Sequence, residues 1–175
     1  TDIKERKNYL IRRATNLSKQ HHIIAANVDQ VVLIATLANP YTSYEFIDRI
    51  SISAEAYDIP FSIILNKVDL LESPKLKMLN TQFLASYKTA GISVFETSVK
   101  QNEGIDAIKI LLKGKTTLIT GHSGVGKSSL IKMVDKNVDL KISDVSDYHK
   151  TGKHTTTFAE MFELKGLNTK IIDTP

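Results

Sequence analysis

The chain has 175 residues, 23 Lys and Arg against 19 Asp and Glu for a formal net charge of +4, no Cys, and 42% hydrophobic residues. That length supports one hydrophobic core, and the missing Cys exclude both a disulfide framework and thiolate-held zinc within these residues. No apolar run approaches the roughly 20 residues of a membrane helix, and no charged n-region with an apolar h-region opens the sequence; a cytoplasmic protein with no membrane partner is expected.

Residues 1–27 differ in composition from the rest. Lys4, Arg6, Lys7, Arg12, Arg13 and Lys19 face only Asp2 and Glu5, a local excess of four positive charges. Residues 9–11 read as a strand and 22–25 as the approach to the main domain. A basic face beside an aromatic suits RNA backbone binding and stacking, with a solvated surface strand and linker as the plainer alternative. Residues 31–36 start a sheet. Residues 40–57 read as one helix, because Phe46, Ile47, Ile50 and Ala54 recur on one face. Phe61–Leu65 is the next strand, apolar throughout in the manner of a buried parallel strand. Pro74 suits a first helical turn, and Leu76, Leu79, Phe83, Leu84 and Tyr87 supply the stripe of the helix it opens. A strand over 92–95 follows, then a helix marked by Ile105, Ile108 and Leu112 that ends near Gly114. Strand Thr116–Thr120 and helix Lys127–Val134 frame a glycine-rich loop, and 158–164 with 169–172 form a final strand pair. Strands separated by helices predict an α/β fold, a mostly parallel sheet covered on both faces.

The glycine-rich loop carries the strongest chemistry. Gly121, His122, Ser123, Gly124, Val125 and Gly126, followed by Lys127, Ser128 and Ser129, match the Walker A pattern between a strand and a helix. In that context loop amides and a helix N-terminus face one anion together. The glycines let the backbone wrap a phosphate where a Cβ would collide. Lys127 supplies charge for the β- and γ-phosphates, and the Ser128 hydroxyl ligates Mg²⁺. Asn66, Lys67, Val68 and Asp69 follow the strand Phe61–Leu65. There the Asp69 carboxylate can accept the N1 and 2-amino protons of guanine, a donor pair that adenine lacks. Asn66 is expected to brace neighbouring loops and the Lys67 stem to lie over the purine. The loop at 96–100 can offer the backbone N–H of Ser98 or Val99 to the guanine O6, with the Ser98 hydroxyl tightening the turn.

Asp173 ends the run 168–172, placed to hold Mg²⁺ through water beside the phosphate-loop strand. Residues 136–157 are polar and weakly periodic and read as a mobile switch segment, ordered by γ-phosphate and Mg²⁺. One of Thr155, Thr156 and Thr157 supplies a second hydroxyl to Mg²⁺, Thr156 being favoured. Lys150, Lys153 and His154 meet nucleotide phosphates or RNA, or remain exposed loop side chains; His154 is a titratable candidate near the switch.

The base-reading loops precede the phosphate loop, the reverse of the familiar small GTP-binding domain. A parallel sheet tolerates this, because joining old termini and opening a surface loop keeps every strand's neighbours. These motifs in this order, with residues 25–30 and 151–157, resemble the circularly permuted GTPases, and most closely the bacterial ribosome small-subunit-dependent GTPase family. The resemblance implies a permuted P-loop GTPase domain over 28–175, ending before the switch II helix, with 1–27 as the end of an N-terminal oligonucleotide-binding-type barrel plus linker. It also implies hydrolysis of GTP to GDP with Mg²⁺, coupled to late maturation of the small ribosomal subunit, and a monomer whose partners are that subunit, its rRNA and guanine nucleotides. Zn²⁺ is implied only in a C-terminal domain outside this chain. Position 124 is Gly where potassium-stimulated GTPases often carry Asn, so no potassium is assigned. The alternative is a guanine-nucleotide-dependent RNA-binding module with negligible hydrolysis.

Overall fold

Apolar runs alternate with helical stripes along most of the chain, and the computed structural model, which describes residues 5–13, 21–138 and 160–174, folds them into a sheet covered by helices. In chain order the elements are β1 (Tyr9–Arg13), β2 (His21–Ala26), β3 (Gln30–Ala35), α1 (Tyr44–Glu55), β4 (Phe61–Leu65) and α2 (Pro74–Thr89). Then come β5 (Ser93–Glu96), α3 (Ile105–Leu112), β6 (Thr116–Thr120), α4 (Lys127–Val134), β7 (Glu160–Leu164) and β8 (Thr169–Asp173). The main sheet is six-stranded in the order β5-β4-β3-β6-β8-β7. Its neighbours run parallel except β7, which is antiparallel to β8.

Strand β3 is buried along its whole length, as a central strand with helices on both faces must be. Its side chains alternate between two cores. Val32 and Ile34 pack with Ile64, Ile119, Ile108 and Leu112 of α3, and Leu130 and Ile131 of α4. Leu33 and Ala35 pack with Ile63, Leu65, Ile47 of α1, and Phe83 and Tyr87 of α2. The Tyr87 hydroxyl donates to Asp48 Oδ1 at 3.0 Å, tying α2 to α1.

A third cluster closes the end of the sheet where the parallel strands begin. There the antiparallel pair β1 and β2 lays Leu10 and Ala25 against Val28, Ile59, Leu118 and Ile172. The Asn8 side chain clamps the junction, accepting from Val28 N at 3.0 Å and donating to Val28 O at 2.8 Å.

Most boundaries shift by a residue or two, and two of the shifts have clear local reasons. The helix expected over 40–57 begins at Tyr44, because residues 36–42 close into a loop of their own. Thr42 N donates to Thr36 O at 2.8 Å, Thr36 N donates to Thr42 Oγ1 at 3.1 Å, and the Thr36 hydroxyl donates to Pro40 O. Ser43 then caps α1 by accepting from Phe46 N at 3.3 Å. The strand expected over 92–95 runs from Ser93 to Glu96, since the Ile92 N–H returns to Tyr87 O at 2.9 Å and Gly91 N–H to Lys88 O at 3.0 Å. With Gly91 at φ +74° this is a helix-terminating Schellman turn, so Ile92 belongs to the end of α2.

Candidate nucleotide-binding site

Because β3, β4, β5, β6 and β8 are parallel, the loops that leave them share one edge. The chain goes from β3 to β4 and β5 on one side, then returns to β6 and β8 on the other. A crevice opens at such a switch point outside the carboxyl ends of the strands. The phosphate loop runs along its β6 side. Gly126 has φ +97°, and a Cβ there would lie 2.5 Å from Asn66 Nδ2. That nitrogen cannot step aside, since Asn66 is buried and bonded at both ends of its amide. Helix α4 starts at Lys127, so its first-turn amides have no intrahelical partner and are offered to the crevice. Val125 gives only its backbone, its side chain being part of the core. Ser123 and Ser129 are exposed and Ser128 is half-buried.

The Lys127 ammonium donates to Gly121 O at 2.7 Å and His122 O at 3.3 Å. Burial pushes its pKa down, opposed by the charge of Asp173. Asp173 is the last residue of β8, the strand beside β6. Burial pushes its carboxyl up, against the pull of Lys127, and nearby Glu160 adds to the rise. Its Oδ1 is buried with no hydrogen-bond partner among the described residues.

The loops at 66–69 and 96–100 meet the glycine-rich loop through Asn66. Its Nδ2 donates to Val125 O at 2.9 Å, and its Oδ1 accepts from Thr97 Oγ1 at 3.1 Å. Lys67, in the left-handed region at φ 62°, donates from Nζ to Gly124 O at 2.7 Å and to Asn39 O. Asp69 Oδ1 accepts from the Ser98 hydroxyl at 2.7 Å, and that hydroxyl accepts from Gln101 N at 3.1 Å, tightening the turn. The Ser98 N–H is taken by Glu103 O at 3.1 Å. Of the two amides that could meet a purine O6, Val99's is therefore the one left. A cavity of about 360 Å³ lies here, lined by Asn66, Lys67, Asp69 and Val99 on one side and Gly126 and Ser129 on the other. Leu70 and Lys100 line it too; Lys100 ends the 96–100 loop read from the sequence, while Leu70, not singled out there, directly follows Asp69.

The model of the RsgA GTPase family matches residues 3–175. The chain belongs to this family. Among its relatives are the small ribosomal subunit biogenesis GTPases RsgA of Bacteroides fragilis, 49% identical over 175 residues, and of Christiangramia forsetii, 49% identical over 174. These matches cover 100% and 99% of the chain but 56% and 54% of the relatives, so the chain spans about half their length. Among solved structures, YjeQ from Thermotoga maritima superposes with a TM-score of 0.74 at 31% identity, covering 100% of this chain and 54% of that one. YloQ, described as a circularly permuted GTPase, gives 0.68 at 27% identity, covering 99% and 50%. The fold is thus that of the permuted P-loop GTPases, with the Asn66–Asp69 and 96–100 loops ahead of the glycine-rich 121–128 loop in the chain.

Several candidate residues of the family reading, Lys150, Lys153, His154, Thr155, Thr156 and Thr157, lie outside the described residues, as do the side chains of Arg12 and Arg13. Among the described residues no three His, Cys, Asp or Glu side chains gather to hold a metal, and no helix is long and apolar enough to cross a membrane.

Proposed function

We propose that this chain is the nucleotide-binding part of a GTP hydrolase that acts in maturation of the small ribosomal subunit. One observation carries the reading: Asp69, held by Ser98 at 2.7 Å, and Gly126 and Ser129 of the phosphate loop line a single cavity. One ligand therefore presents a base edge to Asp69 and phosphates to α4. Guanine suits it, offering two donors to the carboxylate and an acceptor to the Val99 N–H.

Lys127 and the first amides of α4 stabilise charge growing on the transferred phosphoryl group. Hard oxygen donors suit Mg²⁺, and both the Ser128 hydroxyl and the orphaned Asp173 Oδ1 are of that kind. Bound there, Mg²⁺ neutralises phosphate charge. Thr156 is assigned as the second hydroxyl ligand and His154 as a titratable group of the switch segment. Residues 1–27 are assigned to the end of an oligonucleotide-binding-type barrel and its linker, with 28–175 as the GTPase domain. The names of the B. fragilis and C. forsetii relatives supply the partner class, the small ribosomal subunit.

The test is phosphate release by the full-length protein with and without isolated small subunits. Release from GTP should rise with subunits and fall about a hundredfold or more in Lys127→Ala. Subunit binding that depends on guanine nucleotide, with no release above background, would make the chain a recognition module instead.

A further inference from the structure

The segment after β3 packs against the phosphate loop without lining the cavity itself. It emerges at the switch point, between the base-reading and phosphate loops. Its own geometry is locked: Thr36 and Thr42 are buried and bonded to each other through backbone and side chain. It then touches the phosphate loop at both ends of one short arm, 122–124. The Phe46 ring stacks on the His122 ring, with centroids 4.0 Å apart and planes 28° from parallel. The Pro40 ring lies 3.6 Å from the point where a Cβ of Gly124 would sit. Between these contacts Lys67 joins the carbonyls of Asn39 and Gly124, so the base-reading loop grips strap and arm together.

From this geometry we propose that residues 36–46 form a strap that positions the phosphate loop, with Phe46 the positioning residue acting through His122. His122 is exposed; its stack on Phe46 buries little area and adds little to the core. Its effect is on where the 122–124 arm stands. Phe46 in turn cannot drift, since it sits in the first turn of α1 beside the fully buried Ile47. An arm held from outside keeps its amides wrapped on a phosphate, so the strap governs how fast a bound nucleotide leaves more than how fast it reacts. The proposal rests on the nucleotide-site reading above and adds to it the element that sets residence time.

The experiment uses the full-length protein and fluorescent GDP, with release followed by stopped flow in wild type, Phe46→Leu, His122→Ala and the double variant. Each single change should speed release about threefold to tenfold, the scale of one aromatic pair. The double should be no faster than either single, because both remove the same contact. Phe46→Tyr should restore the wild-type rate, and the thermal midpoint of His122→Ala, at its exposed position, should barely move, as a merely structural role would not predict. Should Phe46→Leu fail to fold, His122→Ala at its exposed position still carries the measurement. Equal release rates in all variants, or fully additive effects, overturn the strap. A wild type that binds no guanine nucleotide overturns the site reading beneath it, a different and separable result.

Discussion

The two ends of the parallel sheet are closed differently. Where the strands begin, an apolar seal of Leu10 and Ala25 of the two-stranded ribbon against Val28, Ile59 and Leu118 is joined by the buried Gln30, Thr117 and Thr169, which tie the strands to one another and to the end of α3 at Leu111 and Leu112. Where they end, buried polar groups are spent on one another, with Asn66, Thr97 and Ser98 each at 3% exposure or less and each bonded across a loop boundary. The first end ties strands to the helix that covers them. The second ties loop to loop through buried polar groups, fixing their positions beside the cavity.

This division can be broken from either side. The largest effect is expected at the ribbon end, where Leu10→Ala should remove about 2–5 kcal/mol of stability by opening a cavity under the ribbon. A lowered urea midpoint with unchanged guanine preference is the expected pair of results; a changed preference would mean the ends are not separate. At the loop end, Asp69→Asn should leave the midpoint nearly unmoved, because the new amide oxygen still accepts from Ser98. Its guanine affinity should drop about 10–100-fold, with xanthine nucleotides gaining, since two bonds to a charged acceptor are lost. Competition binding checks this, and an intact preference for guanosine over xanthosine would remove Asp69 from base reading.

The smallest effect concerns the Lys127 and Asp173 pair. The Asp173 charge raises a Lys127 pKa that burial lowers. Removing that charge in Asp173→Asn lets the ammonium lose its proton at lower pH. GDP affinity measured with a chelator present should therefore fall earlier on the alkaline side than in wild type, and the two curves should converge as pH drops. An alkaline limb that stays put would show that the two groups do not sense each other.

Much of this was legible in the sequence, and unevenly so. Parallel strands and glycine loops announce themselves because their requirements are local: Phe61–Leu65, Thr116–Thr120 and Lys127–Val134 fall where the patterns put them. The late start of α1 was hidden. Its cause is a pair of threonines six residues apart, Thr36 and Thr42, which look like ordinary polar positions until the chain closes on itself. Likewise, Ser98 and Val99 read as equivalent donors, and only the return bond from Ser98 N to Glu103 O separates them. The stack of Phe46 on His122 joins residues far apart in sequence, so neither the helical stripe nor the glycine motif could signal it.

The order of strands also bears on how such a sheet can assemble from one end of the chain to the other. Synthesis delivers residues N-terminus first. Strand β4 emerges with its neighbour β3 already made, β5 with β4, β6 with β3, and β8 with β6. Each addition to the parallel sheet finds an edge waiting, growing first toward the base-reading side and then toward the phosphate side. Only β7 precedes its partner, and it needs just the short turn Lys165–Leu167 before β8 can pair with it. In the unpermuted order the phosphate loop would be made first and wait for its neighbours; here it arrives at a half-sheet that already presents Asn66 to receive it.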